Sequence, residues 1–137
     1  MTGKPKILVV EDHPDVLHMM VFLLKRAGCN VVTAQTGVQG LEIARDGDFD
    51  LITLDIDLPG ISGLDICRHL KQDPALRQTP VIFISGRSCD EDIHHGLALG
   101  AVDYISKPFD VPAFVPRILS HIKAKTKKQN TPTCLSL

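Results

Sequence analysis

The sequence predicts a doubly wound α/β domain, a five-stranded parallel sheet with helices on both faces. Three observations lead there. Short, strand-length apolar runs alternate with longer amphipathic ones five times along the chain. The short runs are nearly continuously apolar, as suits strands covered on both faces. Glycine or proline then closes most of the amphipathic stretches, which sets the units apart. Regular βα alternation of this kind gives a parallel sheet joined by right-handed crossovers.

The first strand is Ile7-Leu8-Val9-Val10, stopped by Glu11-Asp12. A helix follows over Asp15 to Ala27, where Val16, Met19, Met20, Leu23, Leu24 and Ala27 recur at helical spacing. Pro14 suits its first turn and Gly28 its end. Val31 to Ala34 is the second strand, and Val38, Leu41 and Ala44 mark a helix ending near Gly47. The third strand, Leu51 to Leu54, stops at Asp55, and Asp57-Leu58-Pro59-Gly60 must be a loop. Leu64, Ile66, Cys67 and Leu70 mark the third helix, closed near Asp73-Pro74. Val81 to Ile84 is the fourth strand, ending at Ser85-Gly86. Asp90 to Leu99 is a helix with a thin apolar face of Ile93, Leu97 and Ala98. Asp103 to Ser106 is a short fifth strand before Lys107-Pro108. Val111 to Lys125 is the last helix, with Phe114, Ile118 and Ile122 on one face, Pro112 in its first turn and Pro116 at an early kink.

The 137 residues suit one domain, and a content of 44% hydrophobic and 23% charged residues places it among globular chains. Fifteen basic and sixteen acidic side chains leave a net charge of -1, which offers no global attraction for nucleic acid or an anionic membrane. No run approaches the roughly 20 apolar residues of a membrane helix. The run behind the N-terminus ends in two acids, which speaks against a secretory signal. Cys29, Cys67, Cys89 and Cys134 are scattered, as expected of reduced thiols in the cytoplasm. The domain is expected over residues 4–125, with a flexible tail or linker stub over 126–137.

The polar residues at the strand ends carry the chemistry. Glu11-Asp12, Asp55, Ser85 and Lys107 each come just after or at the close of strands one, three, four and five. In an open parallel sheet those ends share one edge, beside the switch point where ligands bind. Solvent-exposed strand ends are polar in any such fold, so placement alone is only part of the case. Clustered carboxylates repel unless a cation shares them, and oxygen-only ligands in an open pocket suit Mg²⁺. A carboxylate held there can attack phosphorus, and a lysine and a hydroxyl beside it can stabilise the phosphoryl oxygens.

Those pieces, in order, resemble the receiver domain of two-component response regulators. They are Glu11-Asp12, Asp55 in Leu54-Asp55-Ile56-Asp57-Leu58-Pro59-Gly60-Ile61-Ser62-Gly63, Ser85-Gly86, and Gly100-Ala101-Val102-Asp103-Tyr104-Ile105-Ser106-Lys107-Pro108-Phe109. The resemblance implies a flavodoxin-like, CheY-like sheet of strand order 2-1-3-4-5. It implies Asp55 as phosphoacceptor, with Lys107 and Ser85 assisting. Glu11, Asp12, Asp55 and the Asp57 main-chain carbonyl would hold Mg²⁺, Glu11 through water. Ser85 and Tyr104 would be the switch pair, and the Lys107–Pro108 bond would be cis. The donor would be a histidine kinase or a phosphotransfer protein. The helix 4–strand 5–helix 5 face would signal to a downstream protein of unknown identity, or mediate a homodimer. Such a chain is a switch that catalyses its own phosphorylation and dephosphorylation, not a turnover enzyme.

Other readings are weaker. Asp55-Ile56-Asp57 also resembles the nucleophile and acid of haloacid-dehalogenase-type phosphatases, but there the motif follows the first strand. An interaction module that is never phosphorylated would not need the full chemical set. His94 and His95, about 100° apart on a helix, are exposed polar positions rather than ligands. His18, His69 and His121 are expected on helix surfaces, and His13 as a loop residue beside the acidic pocket. Cys134-Leu135-Ser136-Leu137 behind four lysines only superficially resembles a prenylation signal. Nothing after Lys125 reads as a helix-turn-helix, so direct DNA binding is not expected. Asp57 and Arg87, each two residues beyond Asp55 and Ser85, could pair across the pocket and prolong a phosphorylated state.

Overall fold

In the computed structural model, which describes residues 3–122, the chain forms β1 (Lys6–Val10), α1 (Pro14–Arg26), β2 (Asn30–Ala34), α2 (Gly37–Asp46), β3 (Leu51–Leu54), α3 (Gly63–Gln72), β4 (Val81–Ser85), α4 (Asp90–Ala98) and β5 (Asp103–Ser106). Residues 111–122 form a final helix, α5. All strand pairs are parallel, in the order β2-β1-β3-β4-β5. The expected fold and strand order are thus both present. The tail, Cys134 and the lysines from Lys123 on lie outside the described residues.

Because side chains alternate along a strand, the sheet divides its apolar residues between two cores. Leu8, Val10, Ile52, Leu54, Val81 and Phe83 face Ala44 of α2 and Ile66, Cys67 and Leu70 of α3. Ile7, Val9, Leu51, Ile82, Ile84 and Ile105 face Leu17, Met20 and Leu24 of α1 and Phe114 and Ile118 of α5. Local signals start and stop the helices between them. Thr36 Oγ1 accepts from Gln39 N and Ser62 Oγ from Leu64 N, capping α2 and α3. Gly28 and Gly100 have φ of 93° and 108° just beyond α1 and α4, left-handed turns that favour glycine.

Three helices bury a row that only partly matches the one apolar counting expects. In α1 the buried row is Leu17, Met20 and Leu24, while Met19 and Ala27 are exposed. In α2 it is Gly37, Gly40 and Ala44, and Val38 is exposed. In α4 Leu97 and Ala98 are exposed, and the row runs from half-buried Ile93 through buried Gly96 to half-buried Leu99. In α2 and α4 the reason is close approach. A β-carbon on Gly40 would stand 2.8 Å from Val10 Cγ2, so the helix lies too near the sheet for a side chain.

His121 also departs from its expected surface role. Its Nε2 lies 3.0 Å from Asp103 Oδ2, and Arg117 Nε and Nη2 each donate to the same carboxylate at 2.7 Å. This cluster ties β5 to α5. Burial pushes the Asp103 carboxyl up, but the bonds from Arg117 and His121 outweigh it and hold the pKa at about 2. A carboxyl depressed in the folded state stabilises the fold above its unfolded value of about 3.9 and loses that contribution as pH falls toward the folded one. The melting-temperature gap between the wild type and Asp103→Asn is therefore expected to be constant above about pH 5 and to close between about pH 4 and 2. Paired acid melts check this, and a gap unchanged down to about pH 2 would contradict it.

Candidate functional site

Backbone hydrogen bonds carry the sheet ladder one residue past the strands and so fix the chemical side chains at one edge. Glu11 N donates to Ala34 O at 2.9 Å, Asp55 N to Val10 O at 3.2 Å, and Lys107 N to Ser85 O at 2.8 Å. Glu11 and Asp55 are almost fully buried there, at 1% and 3% exposure. Lys107 reaches in from beside its cis bond to Pro108. Its Nζ stands 2.7 Å from Glu11 Oε1 and 2.9 Å from Asp55 Oδ2.

Electrostatics follow from that burial. Desolvation works against the Lys107 charge, but bonds to Glu11 and Asp55 outweigh it and hold the ammonium above its usual range. Burial raises the Glu11 carboxyl, with the bond from Lys107 opposing and the nearby Asp55 adding. The second oxygen of Asp55, Oδ1, accepts from Asp57 N at 3.1 Å, so both oxygens are held.

The donor set fits a hard cation. Ligand atoms of Glu11, Asp12, His13 and Asp55 all lie within 4.8 Å of one another. Asp12 Oδ1 is buried without a hydrogen-bond partner. His13 Nδ1 is 3.4 Å from that oxygen, as an ion-pair contact without hydrogen-bond geometry, and its side chain is largely exposed. A buried carboxylate oxygen without a donor is costly, and a bound Mg²⁺ would satisfy it. His13 is thus the exposed loop residue beside the acidic pocket that the sequence leads one to expect.

Across the pocket mouth, Arg87 clamps Asp57, with Nε at 3.0 Å and Nη2 at 2.7 Å from Oδ1. The bond from Arg87 holds the Asp57 carboxyl below its usual range, against a smaller effect of burial. Arg87 N donates to Ser85 Oγ at 3.1 Å, and Arg87 O accepts from the Tyr104 hydroxyl. The Tyr104 ring is buried 6.0 Å from that of Phe83, and burial raises its phenol above the usual range. Ser85, Arg87, Asp57 and Tyr104 are thus joined in one network.

The profile of the family described as response regulator receiver domain matches residues 7–119. The chain is a response regulator receiver domain. Among relatives of this receiver, response regulator ArlR of Staphylococcus saprophyticus is 38% identical over 90% of the chain and 54% of its own length. The chain spans about half the length of the curated relatives it matches. A CheY-like receiver domain protein from Methanospirillum hungatei superposes with a TM-score of 0.85 at 26% identity, covering 92% of this chain and 99% of the other. The receiver domain of sensor histidine kinase PA1611 from Pseudomonas aeruginosa, solved with a magnesium ion coordinated in the active site cleft, has a TM-score of 0.81 at 26% identity. The match covers 89% of this chain and 99% of that one.

The structure brings together the side chains expected at this receiver's site: Glu11, Asp12, Asp55, Ser85 and Lys107 at the edge, with Tyr104 behind Ser85. His94 and His95 are exposed and apart from it. Sequence reasoning named Gly63 within the Asp55 motif but gave it no role. A β-carbon there would fall 2.0 Å from Asp55 O, so α3 starts directly against the backbone of Asp55. The signal was the second glycine of Pro59-Gly60-Ile61-Ser62-Gly63, one residue past a capping serine.

Proposed function

We propose that this receiver takes a phosphoryl group onto the carboxylate of Asp55 and answers by rearranging the Ser85–Tyr104 side of the sheet. The observation that carries the reading is the buried Asp55 carboxylate held by Lys107 Nζ at 2.9 Å, beside an Asp12 oxygen that lacks a donor. Asp12, Asp55 and the Asp57 carbonyl would hold Mg²⁺, with Glu11 acting through water. When bound, the ion offsets carboxylate and phosphoryl charge.

The chain's own groups do the rest. An Asp55 oxygen forms the new bond to phosphorus as the bond from phosphorus to the donor's imidazole nitrogen breaks, and the freed imidazole takes up a proton. Lys107 gives up part of its contact with Asp55 to meet the phosphoryl oxygens. Ser85 Oγ accepts from Arg87 N and its hydroxyl bonds the Tyr104 oxygen, so it would turn from Tyr104 to donate to one of the phosphoryl oxygens. The donor is a histidine kinase or a phosphotransfer protein of the cytoplasm, and the face of α4, β5 and α5 meets the downstream partner or a second copy. The phosphatase reading fits less well, because a general acid needs a proton and Arg87 grips the Asp57 carboxylate with two nitrogens.

Incubation with a small-molecule phosphodonor and Mg²⁺, followed by intact mass measurement, tests this. The expected result is a gain of one phosphoryl group that hydroxylamine removes. No gain, or sustained turnover of phosphate monoesters, would overturn the reading. The Asp57–Arg87 pair should hinder the water that hydrolyses the acyl phosphate. Arg87→Ala is expected to shorten the lifetime of the phosphorylated state several-fold, as followed by loss of label. An unchanged lifetime would remove the pair from that role.

A further inference from the structure

Gly96 is the buried residue of α4. Glycine is the poorest helix former after proline, so one placed mid-helix on the buried row marks a packing need. A β-carbon there would stand 2.9 Å from Phe83 Cδ2, 3.2 Å from Phe83 Cε2 and 3.3 Å from Tyr104 Cδ2. The two rings differ in freedom. Phe83 lies on a central strand with no exposed surface, whereas Tyr104 is on the edge strand and keeps 6% exposure. Tyr104 is held at its tip alone, where its hydroxyl donates to Arg87 O and meets the Ser85 hydroxyl.

We propose that Gly96 is a positioning residue for Tyr104: its lack of a side chain makes the space in which the ring lies inward under α4. Any β-carbon at this position tightens that space, and the ring that yields is the edge-strand one. The inward ring and the close seat of α4 are then one packing event, joined through Arg87 O to the loop that carries the Asp57 clamp. This rests on the reading of Tyr104 as the moving partner of Ser85.

The composition makes the test direct, since Tyr104 is the single tyrosine and there is no tryptophan. Gly96→Ala is made in the full chain, and ring exposure is read by acrylamide quenching of tyrosine fluorescence and by ¹⁹F NMR of 3-fluorotyrosine. The expected result is at least a several-fold rise in the quenching constant, with the fluorine resonance moved toward that of free fluorotyrosine. A folded Gly96→Ala chain with wild-type quenching and resonance overturns the inference, including the case in which α4 lifts and leaves the ring in place. Should Gly96→Ala not fold, the Gly96→Ala/Tyr104→Ala double variant decides. Regained folding supports a space kept for Tyr104, and continued failure assigns the glycine to Phe83 and overturns it. Phosphoryl labelling of the wild-type chain is a separate measurement, so failure of the switch reading and failure of this inference are distinguishable.

Discussion

Asp55→Asn is expected to abolish phosphoryl labelling while leaving the fold intact. The amide keeps the shape of the carboxylate, so its oxygen can still accept from Asp57 N, which donates to Asp55 Oδ1 at 3.1 Å in the wild type. Lys107 keeps Glu11 as a charged partner at 2.7 Å, so no buried ammonium is left alone. What is lost is the anionic oxygen that attacks phosphorus. Label is expected to fall below about one hundredth of the wild-type level, because the attacking oxygen that Lys107 holds at 2.9 Å is gone. Intact mass after incubation with donor and Mg²⁺ reads this, with circular dichroism confirming the fold. Asp57→Asn is the informative companion. It should still be labelled, whereas label that vanished with Asp57 and survived in Asp55→Asn would move the acceptor.

Gly63→Ala is expected to produce the largest loss of stability of any single methyl added to this chain's described glycines. Its β-carbon would lie 2.0 Å from Asp55 O, 2.8 Å from Asp55 C and 2.9 Å from Ile56 Cα. All three are backbone atoms, and Asp55 N is itself bonded to Val10 O, so no rotamer change relieves the clash. Either α3 lifts from its Ser62 cap or β3 gives way at its end. A cost of about 4 kcal/mol or more is expected, in the range reserved for severe core damage. Alanine's better helix propensity returns only about 1 kcal/mol of that. Urea unfolding measures it, with Gly86→Ala as control, since a β-carbon on Gly86 meets nothing within 4 Å. Equal midpoints for the two variants would show that α3 does not press on Asp55. A folded Gly63→Ala chain should also label poorly, because the push is delivered to the acceptor's own backbone.

The strands and the site were legible for the same reason. The first four strands announce themselves as apolar runs rich in β-branched residues, β5 is shorter and more polar, and a polar residue follows or closes four of the five. The parallel order then carries Glu11, Asp12, Asp55, Ser85 and Lys107 to one edge without any knowledge of loops. The helix faces were less legible because a hydrophobic count cannot see contact made by absence. Val38 and Leu97 drew attention as apolar residues and are exposed, while Gly37, Gly40, Gly63 and Gly96 make the close contacts. His121 failed for a related reason. Its partner Asp103 is 18 residues away on another element, and nothing local in the sequence points to the pair.

The seat of α4 has a mechanical side. Its one buried residue, Gly96, lies toward the C-terminal end, with Asp90 six residues upstream. At 1.5 Å per residue, the N-terminal arm is about 9 Å long and the arm to Ala98 only about 3 Å. A helix that approaches the sheet most closely at Gly96, with half-buried Ile93 and Leu99 on either side, has unequal arms about that point. A tilt of about 10° about Gly96 would carry the Asp90 end through about 1.5 Å and the other end through about 0.5 Å. The long arm ends beside Ser88 and Arg87, where the loop from the pocket arrives. A change at the acceptor would thus meet α4 where the least force turns it.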